Sequence, residues 1–180
     1  AGARCVRSSV RIAVTGATGI VGRFVVAHAL AAGHAVRVLV RSGSALEGFA
    51  AAPEAVRGDL ADPEALAALV EDRDALVHCA FAHVPGRYRG GEGGDPEDFW
   101  RTNLLGTVRI LEAARHAGVR RAVLLSSRAV FARRRAGEDP HRPVDDAHPT
   151  WPDTHYGALK VAEEALAAAV SASRGPVTAA

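Results

Sequence analysis

A chain of 180 residues in which 48% are hydrophobic fits one domain with a buried core. A formal charge of +2 and the lack of any apolar run of transmembrane length argue against a nucleic-acid binder and a membrane span. Two cysteines, Cys5 and Cys79, build neither a metal spacing nor a disulfide framework, which fits a reducing cytosol.

In chain order, the basic segment 1–9 lacks the apolar stretch of a signal peptide and is expected to be a disordered tail. Val10–Thr15 then has the pattern of a buried strand, and Ile20–Ala32 that of an apolar helix stopped by Gly33. Val36–Val40 predicts a second strand, Ala45–Ala51 a short helical segment and Ala55–Arg57 a third strand. Pro63 opens a helix through Val70, in the first-turn position that suits proline. Ala75–Ala80 is a fourth strand, followed by the glycine-rich loop Val84–Gly94 and a long helix, Pro96–His116. Val119–Ser126 is a fifth strand, a proline-rich loop runs to Pro152, and Thr154–Ser173 is the last helix. The triplet Arg133-Arg134-Arg135 has no interleaved aromatics, so it is expected to be a solvated loop. Strands alternating with crossover helices predict an α/β fold: one Rossmann-like domain over 10–180, a doubly wound parallel sheet covered on both faces.

The first strand runs through Thr15-Gly16-Ala17-Thr18-Gly19-Ile20-Val21-Gly22 straight into a helix. Glycines at such a turn let the backbone approach a pyrophosphate seated on the helix N-terminus. Gly16, Gly19 and Gly22 are spaced one residue wider than the usual dinucleotide fingerprint. The second strand ends in Arg41-Ser42 with no carboxylate to hold a ribose 2′-hydroxyl, so NADP is favoured over NAD. An ordinary surface arginine is the bland alternative.

Lys160 is the single lysine among 22 basic residues, and Tyr156 lies one helical turn before it. An ammonium is a compact charge that a guanidinium cannot replace. Tyr156 and Lys160 together have the spacing of a proton-transfer pair in a redox site.

These features resemble the extended short-chain dehydrogenase/reductase family, in its NAD(P)-dependent epimerase/dehydratase branch. The likeness extends from about Val10 to Thr178. TGATGIVG is similar to the family's Thr-Gly-x-x-Gly-x-x-Gly loop, which implies cofactor contacts at Gly16, Thr18, Gly19, Ile20 and Gly22. Asp59-Leu60 resembles the pair that contacts the adenine. Ala80, Phe81 and Ala82 stand where the fourth strand lines the ribose and nicotinamide. Asn103-Leu104-Leu105-Gly106-Thr107 is similar to the family's Asn-x-x-Gly-Thr, and Ser126-Ser127-Arg128-Ala129-Val130-Phe131 to its Ser-Ser-x-x-x-Tyr, with phenylalanine for tyrosine. Asp59 as a helix cap and Asn103 as a buried hydrogen-bonder are the structural alternatives.

The resemblance implies that Tyr156 exchanges a proton with a substrate alcohol or carbonyl, Ser127 hydrogen-bonds the reacting oxygen, and Lys160 holds the nicotinamide ribose and tunes the tyrosine. A free phenol is too weak a base at neutrality, and a neighbouring cation favours its ionised form. Arg128-Ala129 replaces the Asp-Glu pair of the family's dehydratases, which disfavours dehydration and leaves reduction, oxidation or epimerisation of a small-molecule substrate, sugar nucleotides included. Family members are longer and carry a C-terminal substrate domain. Gly175–Ala180 resembles the start of a sixth strand, so a truncated, cytoplasmic cofactor half of weak or no activity is expected, with an apolar edge at strand five. A non-catalytic dinucleotide-binding module is the alternative. The likeness allows a homodimer through the two long helices, although packing against the sheet explains their alanine-rich faces as well.

Overall fold

A computed structural model describes residues 9–44, 46, 48–83, 95–131, 137, 139, 141, 143–145 and 147–172. The basic tail, the loop 84–94, the arginine triplet and the segment after 172 lie outside the described residues. The elements run β1 (Arg11–Thr15), α1 (Ile20–Ala31), β2 (Ala35–Val40), β3 (Glu54–Arg57), α2 (Pro63–Val70), β4 (Ala75–His78), α3 (Pro96–His116), β5 (Arg121–Leu124), a short 3-10 helix (Arg128–Phe131) and α4 (His155–Ala172). The strands form one parallel sheet in the order β3-β2-β1-β4-β5. β1 therefore lies at its centre, and β3 and β5 are its edges.

The helix starts follow from local chemistry. Asp62 caps α2 by accepting from the amides of Glu64 and Ala65, with Pro63 next in line. This cap is Asp62 rather than Asp59, whose carboxylate instead accepts from the Ala61 amide in its own turn. Asp95 caps α3, whose first turn is acidic and whose last turn is basic, as the helix dipole favours. Along α3 the buried positions Phe99, Asn103, Thr107, Ile110 and Ala114 repeat every three or four residues and face the sheet.

The two faces of the sheet are dressed unequally. Ala13, Leu39 and Leu76 pack with Leu66 and Leu69 of α2, Ile110 and Leu111 of α3, and Leu166 and Val170 of α4. On the other face Val14, Val38 and Val40 meet Val26 and Ala29 of α1. Leu46 and Phe49 complete this second cluster from a loop. Here the structure departs from expectation, for the described residues of 45–51 form turns and bends and no helix. Gly43 and Gly48 both take positive φ, which breaks the helical path and lets Leu46 and Phe49 fold inward as loop residues. β4 and β5 are also shorter than their apolar runs.

At the amino ends of the central strands, Asp74 acts as a clasp. Its carboxylate accepts from the backbone and guanidinium of Arg11 at the start of β1, and from Arg120 just before β5. The Arg11 hydrogen bonds hold the Asp74 carboxyl down at about 2. A carboxylate lowered on folding stabilises the fold above its ordinary pKa, and that contribution fades as pH falls towards the folded value. Asp74→Asn is expected to lower Tm by a few degrees at pH 7, the gap closing as pH falls from about 4 to about 2. Thermal melts of both proteins over this range check it; a gap constant with pH would refute the role of the charge.

Candidate active site

In an open parallel sheet, a crevice forms at the carboxyl ends of the strands where the order reverses. Here that place lies between β1 and β4. The loop after β1 begins at Gly16, whose φ of +71° is in the left-handed region. A Cβ there would stand 2.6 Å from the Ala80 nitrogen and the Cys79 carbon, so the loop lies against the end of β4 as only glycine allows. Thr18, Gly19 and Ile20 are exposed and Gly22 is buried in the first turn of α1. The N-terminus of α1 has no side-chain cap and no acidic residue in its first turn. Its free amides and positive dipole end fit a pyrophosphate. Arg41 is exposed just past β2, and Arg57 donates to the carbonyls of Arg41 and Ser44, stiffening that turn. Asp59 is exposed, while Leu60 is half-buried beneath Gly106 of α3.

The segment after β4 is clamped by α3. Asn103 Oδ1 accepts from the Ala82 amide at 2.7 Å, and its Nδ2 donates to the carbonyls of Ala82 and Phe99. The side chain of Asn103 is thus occupied in shaping the Ala80–Ala82 segment. Phe81 projects from this segment over the start of α4. Its ring packs edge-on to Tyr156 at 5.1 Å, and the Lys160 ammonium lies 5.5 Å from its centre. Lys160 Nζ is also 5.9 Å from the centre of the Tyr156 ring. Ser127 is half-buried, and its hydroxyl accepts from the Ala129 amide at the start of the 3-10 helix. α4 packs closely on that helix, for a Cβ at Gly157 would meet the Ala129 carbonyl at 2.5 Å. The neighbouring Ser126 is held by Glu164 of α4. The structure thus gathers Phe81, Tyr156 and Lys160, with the Ser127 turn packed against the start of α4 and the glycine loop abutting β4. Arg41 and Asp59 lie on the outer strands of the same edge.

Behind these residues runs a buried polar chain that the sequence analysis did not assemble. Lys160 Nζ donates to Glu163 Oε2 at 2.8 Å, with both residues at most 5% exposed. Glu163 Oε1 accepts from Thr107, Thr107 contacts His78 Nε2, and His78 Nδ1 meets Thr15 at 2.6 Å. Thr15 Oγ1 in turn accepts from the Ala80 amide. Every buried polar residue among those described belongs to this chain or, as with Asn103, touches it. Removing one partner of such a buried ion pair costs about 3–5 kcal/mol. His78 and Thr107 fall inside segments already singled out. Glu163 was legible only as an acid one turn after the lone lysine.

Burial, and then the Lys160 charge, push the His78 imidazole down to about 3, so it is neutral. The unfolded chain would bind a proton near pH 6.5 that the folded chain refuses, so stability falls as pH drops from 6.5 towards 3. The slope is at most about 1.4 kcal/mol per pH unit. His78→Gln is expected to be less stable at pH 7 yet to lose this slope. Urea unfolding at steps between pH 7 and 4 measures it, and equal slopes in the two proteins would refute the assignment.

Among the described residues no helix is long and apolar enough to cross a membrane, and no cluster of His, Cys, Asp and Glu could hold a metal ion. The chain is 34% identical over 167 residues to a UDP-glucose 4-epimerase of Streptomyces lividans, covering 90% of this chain and 48% of that protein. It is 36% identical over 160 residues to a putative dihydroflavonol 4-reductase of Synechocystis, covering 87% and 44%. A crystal structure of UDP-glucose 4-epimerase from Stenotrophomonas, with bound NAD and formylated UDP-arabinopyranose, superposes with a TM-score of 0.78 at 26% identity over 94% of this chain and 51% of that one. The chain spans about half the length of the curated relatives it matches. Residues 12–179 match one family over nearly all of the sequence, and the parallel sheet agrees with that match: the chain belongs to the NAD dependent epimerase/dehydratase family.

Proposed function

We propose that this chain forms the dinucleotide-binding and proton-transferring part of an NAD(P)-dependent oxidoreductase or epimerase acting on an alcohol or carbonyl. The observation that carries the reading is the meeting of Tyr156 and Lys160 with the end of β4, against which the glycine loop is packed. The relatives' names support a sugar nucleotide as the substrate class. The reading takes residues 10–180 as one cytoplasmic domain that pairs with a second copy through α3 and α4.

In this reading the loop from Gly16 to Gly22 and the open amides of α1 receive the pyrophosphate, with Thr18, Gly19 and Ile20 lining it. Asp59 and Leu60 border the adenine, and Ala80, Phe81, Ala82 and Asn103 border the ribose and nicotinamide. Arg41, exposed beside Ser42 with no carboxylate at the end of β2, supports NADP through a charge-assisted contact with a 2′-phosphate. The structural relatives described with bound NAD support the NAD-using epimerase as the second reading. The bound dinucleotide would supply hydride acceptance and return. The chain's own work is to orient and to move a proton: Ser127 holds the reacting oxygen, the Tyr156 hydroxyl gives or takes its proton, and the Lys160 ammonium holds the nicotinamide ribose. Phe81 packs edge-on to the tyrosine ring and against the ammonium, which holds the two side chains side by side.

Titration of the chain with NADPH and NADH, followed by nicotinamide fluorescence, tests the cofactor. NADPH should bind more tightly, and Arg41→Ala should weaken it tenfold or more, about 1.4 kcal/mol, while leaving NADH unchanged. Preference for NADH would return the epimerase reading to first place, and binding of neither would overturn the function. With UDP-glucose as substrate, Tyr156→Phe should cut turnover by about 10²–10⁴ while cofactor affinity stays within about twofold. Equal turnover in the two proteins would remove Tyr156 from the chemistry.

A further inference from the structure

The buried chain from Lys160 to Ala80 has a direction. Glu163 can only accept at its Oε2, because Lys160 can only donate. At the far end Thr15 Oγ1 accepts from the Ala80 amide. Because Thr107 gives its one proton to the acceptor-only Glu163, it must take one from His78 Nε2, which leaves Nδ1 to accept the Thr15 proton. The neutral imidazole then carries its proton on Nε2 and donates to Thr107. The Thr107 proton is left for an acceptor, and the Glu163 carboxylate is a stronger one than the Asn103 carbonyl, which also lies at 3.0 Å. Each role is set by its neighbour, with no donor facing a donor. The carboxylate of Glu163 is the sink of the whole chain. One of its oxygens takes the ammonium, and the other takes a line of hydrogen bonds that begins where the glycine loop meets β4.

We propose that Glu163 is a positioning residue for the nicotinamide end of the cofactor: through its two oxygens it registers the Lys160 ammonium against the Thr107–His78–Thr15 line, and so against the glycine loop. This rests on the reading above, in which Lys160 holds the nicotinamide ribose. A lysine on a flexible four-carbon stem must lose rotamer freedom before it can grip a ligand. An ion pair one turn along the same helix, tied to β1 and β4, removes that freedom before the ligand arrives. The adenine half of the cofactor does not reach Lys160, so it should not feel the loss of Glu163.

The test measures binding of NADPH, of NADH and of ADP, which stands for the adenine half alone, to the full chain by titration calorimetry. Glu163→Gln is expected to weaken the better-bound dinucleotide tenfold or more and to leave ADP within twofold. Thr107→Val, which keeps the ion pair and cuts its link to His78, should weaken the dinucleotide at least threefold with ADP again unchanged. Thr107→Ser, which restores the hydroxyl, should match the parent. Equal weakening of ADP and dinucleotide would mean a merely structural role and would overturn the proposal, as would no change in either. Should Glu163→Gln fail to fold, the threonine pair decides by the same comparison. A parent that binds neither dinucleotide would overturn the functional reading together with this one, whereas normal parental binding with unaffected variants would overturn this one alone.

Discussion

The central position of β1 is the constraint on which everything else rests. Only β1 is flanked on both sides by strands that follow it in the chain, β2 by way of α1 and β4 after α2, so the sheet grows outward from it in both directions. That reversal opens a crevice at the carboxyl end of β1 and no other place in the sheet. It also sets Thr15 beside His78, the last residues of two strands 63 positions apart in sequence. From this contact the polar chain runs through α3 to α4. The loops that line the site are therefore tied to the end of the core, as the Ala80 amide bond to Thr15 shows.

Burial and polarity are resolved together at this point. The helical face that packs against β1, β2 and β4 is apolar through Leu66, Leu69, Ile110 and Leu111, and turns polar only towards the carboxyl edge. A buried lysine, glutamate and histidine would each be costly alone. Joined end to end, they form a network in which each member fixes the hydrogen-bonding role of the next. The uncapped N-terminus of α1 is the complementary case, a polar end left without a partner from its own chain and turned towards the same crevice.

Much of this was legible in the sequence, and the reasons are local. α2 and α3 run from proline to the last apolar or basic residue as their patterns predict, because caps and proline positions act within one turn. The glycine turn and the Tyr156/Lys160 pair were legible because each is a short run of neighbours. What could not be read was set by distance along the chain. The segment 45–51 has helix-forming residues, but two glycines and a waiting apolar face drew Leu46 and Phe49 inward instead. Asn103 is the buried hydrogen-bonder that the sequence offers as one alternative, but its partner Ala82, 21 residues away, could not be read from the helix. Glu163 carries no local signal beyond its place three residues after Lys160. Its burial depends on His78 and Thr107, which no periodicity within α4 announces.

The clasp at Asp74 separates two kinds of demand on one sheet. It joins Arg11, ahead of the central strand, to Arg120, ahead of an edge strand, at the end remote from the crevice. The starts of three strands are thereby fastened by charge and backbone bonds that take no part in chemistry. Exposed loop residues beyond the opposite ends are then at liberty to change without loosening the register of the sheet. A fold fastened at one margin and reactive at the other can exchange one substrate for another over evolutionary time while its frame stays the same.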